Sequence, residues 1–367
     1  MIYTSYLDAM IRPSLVYPNP SEAPNLVAAV FEYMKRVPAQ FCLERALSPV
    51  SRQVLAPDGV YRSITAESSL VAERPGSRVF IETSSGNMAT GLAEVCRQKG
   101  VLVHLLMPSS VDEPTKRYIR ELGAIVDEIP TSDQKLRLER LSQIKADYEA
   151  RGFEVTWVAQ YENRNNPVAY WTFAELLASE LDRIDLLVGP VGTGGSSLGT
   201  ATYLRGSGFP QLKLVGVDAC GSVNFDHAHT PFLMGGLGST RPMKNVVPDE
   251  YDFVHWVDDT TAFATALALF DNGIPVGGSS GAAYVAARYE ADRHPDQTVV
   301  VILPDHARRY EDAFRSPDWR AIHGIDLSQA CSAPIEVDEP AESDPSVAGV
   351  VPAWYRIDWR AYRSRGR

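Results

Sequence analysis

From Arg78 onward the chain alternates short runs of β-branched and other apolar residues with segments of helical period: RVFIE, VLVHLLM and AIVDEI, then DLLVGP, KLVGVDA and TVVVILP. A strand covered on both faces reads as a continuous apolar run, and parallel strands need a crossover between them. The alternation therefore predicts an α/β fold of mainly parallel twisted sheets flanked by helices. Between the runs, residues 87–99, 113–122, 136–151, 171–181 and 262–270 read as helices. Open α/β sheets gather ligands at the carboxyl ends of their strands, so the loops after those runs are where chemistry is expected.

The flanks are harder to read. Prolines at 13, 18, 20, 24, 38, 49 and 57 break up long elements before residue 75, leaving 25–36 as the one expected helix there. After about residue 330 comes APIEVDEPAESDPSVAG, rich in Pro, Ser and acid and expected to be a linker. It ends in WYRIDWRAYRSRGR, aromatic and basic.

Composition excludes several function classes. At 367 residues, 45% hydrophobic and 22% charged, the chain is long enough for two lobes with a sizeable core. A net charge of −11 argues against a nucleic-acid groove, which needs a positive field. No apolar run approaches the roughly 20 residues that span a bilayer. The start MIYTSYLDAM lacks the basic-then-apolar layout of a signal peptide, so a cytoplasmic protein without membrane association is expected. Cys42, Cys96, Cys220 and Cys331 form no CxxC pair and indicate neither zinc nor a disulfide framework. His227 and His229 in DHAHT lack a further local ligand and read as structural, so no metal is expected.

Three glycine- and serine-rich loops follow strands and open helices. The first is Gly192-Thr193-Gly194-Gly195-Ser196-Ser197-Leu198-Gly199. Glycines let backbone N–H groups turn toward an anion and the helix start adds its positive dipole end, a phosphate cradle; tight helix–strand packing explains the glycines equally well. No Gly-Lys-Ser/Thr follows, so it is not a P-loop. The second, Thr83-Ser84-Ser85-Gly86-Asn87-Met88-Ala89-Thr90-Gly91, offers hydroxyls, an amide and N–H groups that suit a carboxylate or simply cap the helix. The third, Gly277-Gly278-Ser279-Ser280-Gly281, would by itself be an N-cap.

In this order the loops resemble those of the cysteine synthase and tryptophan synthase β family, the fold-type II pyridoxal-phosphate enzymes, over residues 11–325. The resemblance implies that Ser84, Ser85, Gly86, Asn87 and Met88 hold a substrate carboxylate, and that Asn87 also bonds the ring hydroxyl of pyridoxal phosphate. It gives the cofactor phosphate to Gly192, Thr193, Gly194, Gly195 and Ser196, and the pyridine nitrogen to Ser279. Gln160 and Asn163 in AQYENRNNP would flank the substrate. VDACGSVNF, GGLGSTR, WVDDTTAF and ILPDHARRYEDAFRSPDW are similar to the branch that makes N-(2-amino-2-carboxyethyl)-L-glutamate for siderophores, and to related 2,3-diaminopropionate pathways, from O-phospho-L-serine. There Arg241 would sit at the pocket mouth, paired with a substrate phosphate or second carboxylate, or in a surface salt bridge. The implied domains are a smaller mobile lobe over 38–165 with the asparagine loop, a larger lobe over 11–37 and 166–328 with the glycine loop, and a linker and tail over 329–367. A homodimer acting on a small amino-acid substrate is implied as well.

The departure lies upstream. The family reads approximately Asn-Pro-x-Gly-Ser-x-Lys-Asp-Arg, and its lysine forms the Schiff base with the cofactor. Here the matching stretch is LSPVSRQVLAPDGVYRSIT, residues 47–65, with no lysine. Alignment puts Tyr61 or Gln53 at that position, and neither is an amine. Among Lys35, Lys99, Lys116, Lys135, Lys145, Lys213 and Lys244, only Lys244 lies near a loop expected to border the pocket. Pyridoxal phosphate would then bind non-covalently or as the substrate aldimine, with Tyr61 as a candidate proton carrier. Two readings stand: an enzyme performing β-replacement or β-elimination on O-phospho-L-serine or a similar β-substituted serine with an amine nucleophile, or a catalytically silent homologue that binds pyridoxal phosphate, an amino acid or a partner protein. The tail, where Trp354, Tyr355, Trp359 and Tyr362 interleave with arginines, would dock on the acidic body, a partner or its dimer mate.

Overall fold

A computed structural model of the chain describes residues 14–16, 23–30, 39, 76–84, 86–131 and 133–365. They fall into two compact units, one within 35–165 and one within 1–34 and 166–367.

The chain enters the second of these with β1 (Ser14–Val16) and β2 (Leu26–Val30), which pair antiparallel. The strand at 26–30 replaces the helix expected over 25–36; residues 31–36 lie outside the described residues. LVAAV is a continuous apolar run with its first four residues buried, the signature of a strand covered on both faces rather than of an amphipathic helix. Asn25 fixes where it starts: its Nδ2 donates to the carbonyls of Ala291, His294 and Gln297 at 3.1, 3.1 and 2.9 Å.

The smaller unit is a four-stranded parallel sheet built from β3 (Arg78–Thr83), β4 (Leu102–Pro108), β5 (Ile125–Ile129) and β6 (Glu154–Trp157), in the order β5-β4-β3-β6. Its crossovers carry α1 (Asn87–Lys99), α2 (Glu113–Glu121) and α3 (Gln134–Ala150). Helix α3 starts where the Asp133 carboxylate accepts from the N–H groups of Lys135 and Leu136, a side-chain N-cap. Its Leu141, Ile144 and Tyr148, spaced along one helical stripe, pack on Val79 and Ile81 of β3.

The larger unit continues through α4 (Asn165–Ala169), α5 (Trp171–Glu180), β7 (Leu186–Pro190), α6 (Gly195–Ser207), β8 (Lys213–Ala219), β9 (Phe253–Val257), α7 (Asp259–Asp271), α8 (Gly278–Arg293) and β10 (Val299–Leu303). Beyond these come α9 (Pro317–Ile322), β11 (Ile335–Val337), β12 (Tyr355–Asp358) and α10 (Trp359–Arg365). The sheet runs β1-β2-β10-β7-β8-β9-β12-β11, parallel from β2 through β9. The alanine face of α8 lets it lie close: Ala283, Ala286 and Ala287 are fully buried with Val188, Val301 and Leu303.

The stretch expected to be a linker instead extends this sheet. β12 pairs antiparallel with β9, and β11 pairs parallel with β12. Trp354, Tyr355, Ile357 and Trp359 are buried, so the tail aromatics dock on their own unit. The tail arginines meet its acidic residues, Arg360 with Asp252 at 2.7 Å and Arg363 with Asp249 at 3.0 Å. A buried polar clamp fixes the strand pair to α8. The Glu290 carboxylate, 0% exposed, receives Arg356 Nε at 2.5 Å and His255 Nε2 at 3.0 Å. Trp354 Nε1 donates to His255 Nδ1 at 3.0 Å, leaving the Nε2 proton for Glu290. Burial by itself pushes the Glu290 carboxyl up, but the hydrogen bonds from His255 and Arg356 and the Arg356 charge outweigh it and hold it at about 2.

Removing one side of a buried ion pair strands the other charge, at a cost of about 3–5 kcal/mol. Arg356→Met is expected to lower the urea midpoint accordingly at pH 7, whereas Arg363→Met, at a more exposed pair, should shift it little. Because the folded Glu290 carboxyl lies below its usual value of 4.5, its stabilisation is present above pH 4.5 and lost as pH falls toward 2. The variant should lack that part of the acid transition.

Candidate functional site

All three sequence-predicted loops lie at carboxyl ends of strands or at helix starts. In the larger unit β7 ends at Pro190, and the chain turns through Gly192, Thr193 and Gly194 into α6. Gly194 is left-handed, φ +77°, and a Cβ there would stand 2.4 Å from the Asn245 carbonyl oxygen. A Cβ on Gly192 would meet the Gly236 carbonyl oxygen at 2.5 Å, and one on Gly195 would meet Asn166 Oδ1 at 2.4 Å. The same Asn166 donates from Nδ2 to Thr193 Oγ1 at 3.1 Å, tying α4 to the loop. Protein thus fills one side of the turn, while the first N–H groups of α6 have no partner within their helix and carry its positive dipole end. Ser196 is half-buried in that first turn. Ser197 behind it bonds Tyr251, Oγ to phenol oxygen, at 2.9 Å. Chemically, such a turn can receive an anionic group such as a phosphate.

The third loop does not act as the side-chain N-cap that its serines suggested. Gly277 is the capping residue without a side-chain bond, and Ser279 sits inside the first turn of α8, 2% exposed. The glycines serve close packing, since a Cβ on Gly281 would lie 2.1 Å from the Ala262 carbonyl oxygen of α7.

Arg241 is half-buried on the loop after β8, with its backbone N–H donating to Ser239 Oγ at 3.1 Å. Lys244 is exposed, one residue from the Asn245 carbonyl that abuts Gly194. Lys116 is committed elsewhere, to Glu128 at 2.7 Å and Glu113 at 3.1 Å, and Lys213 stands over the Phe253 ring at the amino end of β8. Lys35, Gln53, Tyr61 and Ser85 lie outside the described residues.

In the smaller unit, Ser84 Oγ accepts from the N–H groups of Gly86 and Ala89, both at 3.2 Å, so it caps α1 and keeps its own proton to donate. Gly86 adopts φ 142°, Asn87 opens α1 and Met88 is buried. Beneath this loop lies a residue sequence reasoning missed, Glu82, fully buried at the end of β3. Its two oxygens accept from Thr83 N–H at 2.8 Å and Gln160 N–H at 2.9 Å, joining the ends of β3 and β6. Burial drives its carboxyl up to about 7 against those bonds. Gln160 Nε2 donates to the Thr83 carbonyl at 2.9 Å, which places Gln160 beside the asparagine loop. Asn163 forms its own turn instead: Nδ2 donates to the Val158 carbonyl at 2.9 Å, and Oδ1 accepts from Asn165 N–H at 3.0 Å. Sequence could have flagged Glu82 as the one acid in an apolar strand run; Asn166 and Asn245 reach the glycine loop only through tertiary contact.

The histidine pair is built into the larger unit. His227 stacks on Trp256 at 4.2 Å and its Nε2 lies 3.0 Å from Ser343 Oγ, while His229 Nδ1 lies 3.2 Å from the Gly221 carbonyl. Among the described residues no helix is long and apolar enough to cross a membrane.

Residues 59–305 match the family described as pyridoxal-phosphate dependent enzyme, and the chain belongs to that family. It is 33% identical over 327 residues to the N-(2-amino-2-carboxyethyl)-L-glutamate synthase of Ralstonia nicotianae, covering 87% of this chain and 88% of that protein. It is 32% identical over 235 residues to a cysteine synthase of Helicobacter pylori, covering 63% and 76%. The fold matches the crystal structure of the O-acetylserine dependent cystathionine β-synthase of Helicobacter pylori with a TM-score of 0.70 and 26% identity, over 85% of this chain and 98% of that one.

The crowding around the glycine loop has a direct test. Gly195→Ala is expected to lower the urea midpoint, because the added methyl meets Asn166 at 2.4 Å. Gly206→Ala in the same helix meets nothing within 4 Å and should instead stabilise, by up to about 1 kcal/mol.

Proposed function

We propose that the chain is a cysteine synthase-like pyridoxal-phosphate enzyme that performs β-replacement or β-elimination on O-phospho-L-serine or a similar β-substituted serine, with an amine as nucleophile, and holds its cofactor without the usual lysine. The observation that carries the reading is the glycine loop, closed on its protein side by Asn245, Gly236 and Asn166 and opening onto the start of α6. These residues fit the cofactor's phosphate: N–H groups and a helix dipole bind a dianion without needing a cationic side chain. Gly192, Thr193, Gly194, Gly195 and Ser196 would hold the phosphate, Ser279 the ring nitrogen and Asn87 the ring hydroxyl. When bound, pyridoxal phosphate supplies an electron sink for charge developing at the substrate α-carbon.

The chain's own residues would do the remaining work. Ser84, with its oxygen accepting two N–H groups, is left to donate its proton to a substrate carboxylate, supported by Ser85, Gly86 and Met88 of the same loop. Gln160, held by Glu82, would orient that carboxylate, and Asn163 shapes the turn beside it. Arg241 would take a substrate phosphate or second carboxylate. Tyr61 is proposed to move the α-proton from the position the family gives to lysine. An unperturbed phenol near pKa 10 is a poor base at neutral pH, and a well-placed general base contributes about 100- to 10,000-fold, so slow turnover is expected. A homodimer in solution belongs to the same proposal.

One observation favours a silent homologue: residues 47–65 contain no lysine. A single titration separates the two. Purified full-length chain is saturated with pyridoxal phosphate, its absorbance recorded, and O-phospho-L-serine added with and without an amine. A shifted spectrum with phosphate release supports the enzyme, while an unchanged spectrum with no phosphate supports the silent binder. Gly194→Ala should weaken cofactor uptake at least about tenfold if the cradle is the phosphate site. Failure of the wild-type chain to take up pyridoxal phosphate would sink the enzyme reading and leave the silent homologue only as a binder of an amino acid or a partner protein.

A further inference from the structure

Behind the glycine loop the larger unit buries a carboxyl group without a cation. Asp218 is the next-to-last residue of β8 and 0% exposed. Its Oδ1 accepts from the Ala219 N–H at 3.0 Å and from Asn224 Nδ2 at 3.4 Å, while its Oδ2 is buried with no hydrogen-bond partner. Ser222 bonds the same carboxyl through its hydroxyl proton, the hydroxyl oxygen already accepting from the N–H groups of Asn224 at 3.4 Å and Ser239 at 2.9 Å.

Asn224, 6% exposed, repeats the pattern. Its Nδ2 donates to Asp218 and to the Val191 carbonyl at 3.3 Å, so both amide protons are placed, and the reversed amide would set an oxygen against two acceptors. Its Oδ1 is therefore an acceptor, and it too is buried with no partner. Two buried acceptors on contacting side chains thus lack a donor. An ionised carboxylate would leave both unsatisfied and add an uncompensated charge. One proton on Asp218 removes the charge and supplies a donor.

Nothing packed around the pair supplies a cation instead. Burial keeps the Tyr251 phenol and the Cys220 thiol protonated. His227 stacks on Trp256, the residue level with Asp218 on β9, and burial lowers it to about 4, so it is neutral. Asp258 and Asp259, beyond the end of β9, are acids themselves. The Arg205 guanidinium of α6 is taken by Glu250 and Asp252, both at 3.0 Å. Among the described residues no group of three His, Cys, Asp or Glu side chains could hold a metal ion. Burial accordingly raises the Asp218 carboxyl to about 7 against the bonds from Ser222, Ala219 and Asn224. The pair reaches the glycine loop by two routes. Val191, whose carbonyl Asn224 holds, directly precedes Gly192, and Tyr251, within electrostatic reach of Asp218, bonds Ser197 beside Ser196.

We propose that Asp218 and Asn224 form a neutral acid–amide pair behind the glycine loop, and that loss of its proton weakens the loop's hold on a phosphate group. Asp218 is then a positioning residue that acts through Asn224 and Val191. The coupling to phosphate rests on the reading of this loop as the cofactor's phosphate site; the protonation of the pair does not.

Asp218→Asn reproduces the shape of the neutral acid and cannot ionise, so it is compared with wild type as ligand-free full-length chain. The unfolded carboxyl ionises near 3.8 and the folded one near 7, so wild type loses stability as pH rises between these values, and the loss is complete above 7. The variant's advantage in urea midpoint is expected to widen over that interval and stay level above it. An infrared difference spectrum, wild type minus variant, should show a protonated carboxyl band at pH 6 that gives way to a carboxylate band by pH 9. Pyridoxal-phosphate affinity, read by absorbance, should be alike for the two chains at pH 6 and about 10-fold weaker for wild type at pH 9. The cofactor's own ionisation cancels in that ratio. A carboxylate band at pH 6, a variant that does not fold, or a midpoint difference independent of pH overturns the neutral pair. Cofactor uptake with a constant affinity ratio overturns the coupling to the loop. If neither chain takes up pyridoxal phosphate at any pH, the coupling and the enzyme reading fall together, while the midpoints and the infrared bands still decide the pair.

Discussion

Between β7 and α6 the backbone runs so close to Asn245, Gly236 and Asn166 that a methyl group at any of three positions would collide with an oxygen. That crowding is what requires glycine at these positions. With side chains forbidden on the protein side, the first turn of α6 presents backbone amides and the helix dipole there, the groups on which the proposed phosphate site rests. The surrounding framework serves this approach. Asn166 holds Thr193, Tyr251 holds Ser197, and the loop after β8 presents the two carbonyls that set how near the turn can come.

The tail contributes to the same framework from outside the family-matched residues 59–305. Trp359 packs edge-on against Phe225 at 5.3 Å, Phe225 against Tyr251 at 5.0 Å, and Trp359 Nε1 bonds the Pro248 carbonyl at 2.9 Å. These contacts fall on the segment that carries Asn245. The Glu290 clamp fixes β12 to α8, the helix whose first turn holds Ser279. A chain ending near residue 305 would leave Trp256, fully buried here, without Trp359 and its neighbours.

How much was legible in the sequence depended on the range of the interaction. Apolar runs such as RVFIE and TVVVILP announced strands because burial on both faces is a local pattern. EVTW did not, being four residues long with alternating character. The helix expected over 25–36 gives way at LVAAV, whose uninterrupted apolar character fits a covered strand better. The stretch expected to be a linker differs because its acidic and proline-rich composition hides the strand Ile335–Val337, whereas the aromatics after it do announce docking; the place they dock rests on pairings such as Arg356 with Glu290, 66 residues apart. The glycine loops were visible because positive φ and close approach admit little else, as at Gly194.

On the proposed function, the glycine loop retains pyridoxal phosphate through phosphate and ring contacts, with no covalent bond to the protein. Borohydride treatment of the cofactor-saturated full-length chain, followed by intact-mass and peptide mass spectrometry, tests it directly. Stoichiometric cofactor by absorbance before reduction and an unchanged protein mass after it are expected. A mass gain located on Lys244, or on any other lysine, would contradict it.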